Sequence, residues 1–157
     1  MISLIILGII FLYAIISYNT LTRKRNNVDN AFGSIDVMLK KRFDLIPNLV
    51  ATVQQYAKHE EETFTKITNL RTKSYDSLTA EEKADFDKTF TAAKNNFFMV
   101  AENYPALRSS ENFMQLQKTL NETEEQLSAS RRTYNAAVTD YNNSVMTFPS
   151  NIIANLF

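Results

Sequence analysis

The sequence predicts an all-α protein in which an N-terminal transmembrane helix continues into an antiparallel, up-down-up-down four-helix bundle with long helices. Three observations lead there. Residues Ile2 to Ile16, "ISLIILGIIFLYAII", carry no charge, as a segment that dissolves in lipid requires. Beyond Asn19, apolar residues recur in steps of three and four, the period of a helix with one covered face. Gly occurs only at positions 8 and 33 and Pro only at 47, 105 and 149, too little turn chemistry to punctuate a sheet. The 157 residues divide on this reading into a transmembrane anchor at 2–18, a helical bundle at 19–148 and an apolar tail at 149–157.

The anchor is short against the roughly 17 to 25 residues a bilayer asks for, but Tyr13 and Tyr18 stand where aromatic side chains settle at an interface. A cleaved signal would carry its cations before the apolar run and a small-x-small site after it. Here nothing basic precedes the run and Ser17-Tyr18-Asn19 follows it. Arg23, Lys24 and Arg25 come just beyond the span and act as topology determinants. By the positive-inside rule they hold the C-terminal side in the cytoplasm and leave Met1 outside.

Helix one continues the anchor along Val28, Ala31, Ile35, Met38 and Arg42. Asp44 is placed to cap a second helix, with Pro47 in the first turn, where a missing N–H breaks no intrahelical bond. The second stripe runs through Leu49, Val53, Tyr56, Glu60, Thr63, Ile67 and Leu70, widened by Phe64, to a loop near Ser74 to Leu78. Thr79-Ala80-Glu81-Glu82 fits a capping box and opens helix three. Its core face is Phe86, Phe90, Ala93, Phe97 and Val100, and it stops at Tyr104 because Pro105 pushes the preceding residue out of the helical region. Ser109 or Ser110 caps helix four, whose heptad stripe from Phe113 to Phe148 gives a coiled-coil-like rod of roughly 54 Å. Short connections favour antiparallel neighbours.

Composition closes several functional classes. Lys plus Arg equals Asp plus Glu at 17 each, so no net field draws the chain to nucleic acid. The absence of Cys removes thiolate chemistry and Cys-based zinc. "YAKHEEET" opens like a zinc-protease helix, but the second His of H-E-x-x-H is replaced by Thr63, and His59 is the single His. A first shell cannot be completed. No residue is therefore assigned a catalytic, cofactor-binding or metal role, and no cofactor is expected. Glu60, Thr123, Ser130 and Arg131 are expected to form a polar layer in the core, since a buried carboxylate needs a donor. The alternative is a ligand-sensing or enzymatic bundle with a site around His59 and Glu60.

The strings "DLIPNLV", "YAKHE", "NLRTKS", the "YPALRSSENFMQLQ" run and "ASRRTYNAAVTDYNNSVMTFP" occur in an order that resembles the LemA family over nearly the whole chain after the anchor. The resemblance implies a membrane-anchored bacterial protein, an all-α LemA-like bundle and no established enzymatic activity. Some members look like lipoproteins with a Cys before the Tyr-Asn pair; Ser17 stands there instead. Those members keep an extracytoplasmic home as the alternative to a bundle on the cytoplasmic side of the inner membrane. A similar domain in proteins of bacterial magnetosome membranes points to organising membranes or assemblies. The reading is thus a structural, scaffolding protein whose partners are membrane lipid, further copies of itself and other membrane proteins. The uncharged tail, with Phe148, Ile152, Ile153, Leu156 and Phe157, is expected to return to the bilayer and, with the face of helix four, to serve in homo-oligomer contacts.

Overall fold

A computed structural model describes residues 1–56, 61–71 and 73–156. Its helices are α1 (Ile2–Asp44), α2 (Ile46–Tyr56), α3 (Glu61–Thr68), α4 (Ala80–Ala101), α5 (Pro105–Arg108), α6 (Glu111–Met146) and α7 (Ser150–Leu156), with single 3-10 turns at Asn69–Arg71 and Tyr75–Ser77. No strand occurs among the described residues, and the fold is the all-α bundle the sequence predicts, led by one long N-terminal apolar helix.

Helix boundaries follow local chemistry. α1 ends at Asp44 because Pro47 has no N–H to offer the Phe43 carbonyl four residues back. The chain instead turns at Leu45, whose N–H bonds the Arg42 carbonyl at 3.2 Å, and α2 opens with Pro47 in its first turn. At α4 the Thr79 hydroxyl accepts the Glu82 N–H at 3.2 Å while the Glu82 carboxylate accepts the Thr79 N–H at 2.8 Å, the reciprocal pair of a capping box. α4 stops at Ala101, three residues sooner than Pro105 alone suggests. Asn103 and Tyr104 donate to the Val100 and Ala101 carbonyls, tightening the last turn to the 3-10 pattern, and Pro105 then starts α5 as its first residue. Of the two candidate caps for α6 it is Ser110 whose hydroxyl accepts the Phe113 N–H, at 3.3 Å.

The chain forms two compact units, Met1–Ile35 with Ser128–Phe157, and Asp36–Leu127. In the second unit α2 packs on α3 and α3 on α4, and α5 closes against α2 and α4. Its core is aromatic. Phe43 stands 5.7 Å from both Tyr75 and Phe86, and Phe86 5.7 Å from Phe90, separations at which ring edges meet ring faces. Leu49, Ile67 and Leu127 are wholly inaccessible.

In the first unit α1 and α6 run antiparallel: Lys24 meets Asp140 and Ser144, and Phe32 meets Tyr134 with ring centroids 5.9 Å apart. The covered stripe of α1 begins earlier than the sequence pattern suggested, at Ala14, Ser17, Leu21 and Lys24.

Candidate functional site

The chain places its buried charge in the second unit. Arg42 lies one step along the α1 stripe from Met38, at the spacing that faces the core, and is only 2% exposed. An ion buried this far is tolerable only when its hydrogen-bonding capacity is met. One guanidinium nitrogen donates to Asp87 on α4, a second donates to Glu124 on α6, and the plane lies 5.5 Å from the Phe90 ring centre. Lys94 adds a second cation to Glu124 at 3.1 Å. Two cations thus face two carboxylates across three helices. Burial pushes the Glu124 carboxyl up, but the Lys94 hydrogen bond and the charge of Arg42 outweigh it and hold the group below its ordinary range.

A second cluster fastens the segment between α3 and α4 to α1. The buried Tyr75 hydroxyl donates to the Asp36 carboxylate at 2.7 Å and approaches the Asp36 carbonyl at 3.0 Å. Lys83 donates to the same carboxylate at 2.7 Å. Lys83 and Lys40 lie 4.6 and 5.5 Å from the Tyr75 ring centre, within cation–π range. Burial raises the Asp36 carboxyl, and the Lys83 and Tyr75 hydrogen bonds overturn that and lower it. Burial and the bond to Asp36 push the Tyr75 phenol far above its usual range, so it stays protonated. Each of these charged groups is paired with at least one other of them. They make a lock between helices, with no nucleophile or base left facing a cleft.

Of the residues singled out in sequence, Thr123 is buried and its hydroxyl donates to the Thr119 carbonyl of its own helix at 2.8 Å. Ser130 is half-buried and Arg131 exposed on α6. His59 and Glu60 lie outside the described residues, as does Phe157. Among the described residues no group of three or more His, Cys, Asp or Glu stands together to hold a metal ion. An open groove of about 670 Å³ beside α4 is lined by Phe43, Leu70, Leu78 and Phe86 together with Lys73, Glu82 and Lys88, charges of both signs that select no ligand class.

The first unit differs. Residues 2–12 of α1 are exposed throughout, and α1 is long and apolar enough to cross a membrane by length and composition. Of the three cations expected to set topology, Lys24 is engaged by Asp140 at 2.8 Å, while Arg23 and Arg25 are exposed. Beyond Leu127, α6 has no fully buried residue, although its stripe continues through Tyr134, Ala137, Tyr141 and Val145, all half-buried. Sequence reasoning missed Arg42 as an ion centre and Asp36 with Tyr75 as a lock. The only signal for the first was a cation at a core position.

The model of the LemA family matches residues 31–157. Protein LemA of Metamycoplasma hominis is 28% identical over 153 residues, which cover 94% of this chain and 68% of that protein. The magnetosome proteins MamQ 1 and MamQ 2 of Paramagnetospirillum magneticum are each 23% identical over 163 residues, covering 87% of this chain and 60% of theirs. The chain therefore spans roughly two thirds or less of the length of these relatives.

Proposed function

Because the chain belongs to the LemA family, we propose that it is a membrane-anchored scaffold that acts through its helix surfaces and self-associates, without catalysis of its own. The first residues of α1 supply the anchor, and the bundle lies on the cytoplasmic side of the inner membrane. The observation that carries the reading is the incomplete seam of the first unit. A two-helix pair covers only one side of each stripe, and the stripe residues Ser130, Tyr134, Ala137, Tyr141 and Val145 of α6 stay half-buried. Two more helices would complete the cover, as in a four-helix arrangement, and a second copy supplies them. Confinement of anchored copies to one plane raises their effective concentration, so that a modest contact suffices. The relation to magnetosome proteins agrees with a role in assemblies.

The test is the mass of the detergent-solubilised protein. Ala136 is exposed in an open groove with Asn30, Ala31, Ser34, Thr133 and Ala137, where a large charged side chain blocks close approach. The wild type is expected as a dimer or larger species that Ala136→Arg returns to monomer with helix content unchanged. A wild type that is monodisperse and monomeric at every concentration refutes the reading.

A further inference from the structure

The helix that follows Pro149 exposes two large aliphatic side chains while two of its polar side chains are half-buried. On α7 Ser150, Asn151, Ile153 and Ala154 are half-buried, while Asn155 is exposed beside Ile152 and Leu156, which face out at 51% and 70% exposure. The Ser150 hydroxyl is bound inward, to the carbonyls of Ser144 at 2.7 Å and Thr147 at 2.9 Å. The Asn151 side-chain oxygen is buried with no hydrogen-bond partner among the described residues. Just ahead of the helix, Met146 and Phe148 are exposed at 70% and 75%. Water would favour the opposite arrangement, since burying an amide without a partner costs free energy and exposing a large apolar side chain gains none.

The anchor shows the same pattern independently. Ser17 is buried and its hydroxyl has no partner among the described residues, while Ile15, Ile16 and Tyr18 around it face out. The antiparallel register brings the two together. Lys24 meets Ser144 at 2.7 Å and the Ser150 hydroxyl bonds the Ser144 carbonyl, so the part of α1 that leads to Ser17, about 10 Å before Lys24, runs on past the end of α6 where α7 begins. Beyond the Lys24–Asp140 pair both segments lose their charge on the same side. From Tyr141 to Phe157 there is no charged residue, and on α1 only Arg23 separates Lys24 from an uncharged stretch that reaches Met1.

We infer that Met146, Phe148 and the outer face of α7 form an interfacial lipid-binding element, lying in the headgroup–acyl boundary beside the anchor. The inference rests on the reading of α1 as a membrane span. Of the two surfaces that the sequence offers for association, the α6 face is left to a second copy and the tail goes to the bilayer. An apolar face of this kind binds through buried area. With no basic side chain on the tail, its insertion needs no anionic lipid.

The protein has no Trp, so single Trp probes report position without background. Phe148→Trp, Ile10→Trp and, as a control on the second unit, Met99→Trp are each reconstituted as full chain in phosphatidylcholine vesicles. The lipids are brominated either near the carbonyl or near the chain end. Phe148→Trp is expected to emit at blue-shifted wavelength and lose most of its fluorescence to shallow bromine, Ile10→Trp to deep bromine, and Met99→Trp to neither. A blue-shifted but unquenched Phe148→Trp means that protein covers the tail and overturns the inference. A water-like, unquenched Phe148→Trp does so too, with the anchor reading intact as long as Ile10→Trp is quenched. An unquenched Ile10→Trp removes the anchor reading and this inference with it. Far-ultraviolet circular dichroism of each variant confirms that the fold carries the probe.

Discussion

Replacing Arg42 by alanine tests the claim that the second unit is tied by one ion cluster. Removing one partner of a buried pair costs about 3 to 5 kcal/mol, because the other charge is left behind. The structure selects the lower end of that range. Asp87 and Glu124 are 16% and 42% exposed at their side chains, so water reaches both, and Lys94 stays on Glu124 at 3.1 Å. A loss of about 3 kcal/mol corresponds to a fall in Tm of roughly 6 to 12 °C for a chain of this size. The assay is thermal unfolding of the full chain in one detergent, followed by circular dichroism. Acidity provides an internal control. Glu124 titrates below its ordinary value when folded, so its stabilisation is complete above the unfolded value of about 4.3. It is lost as pH falls through the folded value. Arg42→Ala removes part of that contribution, so the gap between wild type and variant narrows from pH 7 to pH 3. A fall in Tm of less than about 2 °C at pH 7, or a gap that does not change with pH, refutes the reasoning.

Tyr75→Phe takes the donor from Asp36 and leaves Lys83 in place, and is expected to cost about 1.5 kcal/mol by denaturant unfolding; a cost near zero means that Lys83 alone satisfies Asp36. Thr79→Ala opens the first turn of α4 and should cost about 1 kcal/mol, read by the same method. The Lys73 hydrogen bond, then the Thr79 N–H, lower the Glu82 carboxyl to about 2. The stability it lends is therefore present above its ordinary value and lost as pH falls toward 2, and Glu82→Gln is expected to flatten stability against pH in that window. For topology, a reporter at the C-terminus is expected to behave as cytoplasmic, and neutralising Arg23, Lys24 and Arg25 to weaken that preference. Cleavage of the bundle by protease added outside intact inner membranes contradicts it.

Periodicity and caps made most of the helices legible. The Thr79–Glu82 box, the core face from Phe86 to Phe97, and the stripe of α6 from Phe113 to Leu127 are all local patterns, and the structure repeats them. What sequence could not reveal were pairings at long range. Arg42 could be placed on a core stripe, but its partners sit 45 and 82 residues away, and nothing local marks Asp87 and Glu124 among the other carboxylates. Tyr75 read as part of a loop because its helix-free neighbourhood says nothing of the Asp36 carboxylate it reaches. The exposed apolar face of α7 was half legible. The apolar residues were visible, but which side they occupy depends on where Ser150 and Asn151 turn.

The first unit is built from the two flanks of the chain, and Lys24 finds Asp140 across a separation of 116 residues. At about 5 to 20 residues per second of synthesis, roughly 6 to 23 seconds pass between the appearance of the two. By the end of that interval residues 36–127 have all been made and hold everything their own core requires. α1, by contrast, has left the ribosome without the helix that covers Ala14, Ser17 and Leu21. Contacts of such high sequence separation form late, so the order of assembly is written into the fold: the pairing of α1 with α6 is completed only when translation of α6 is finished.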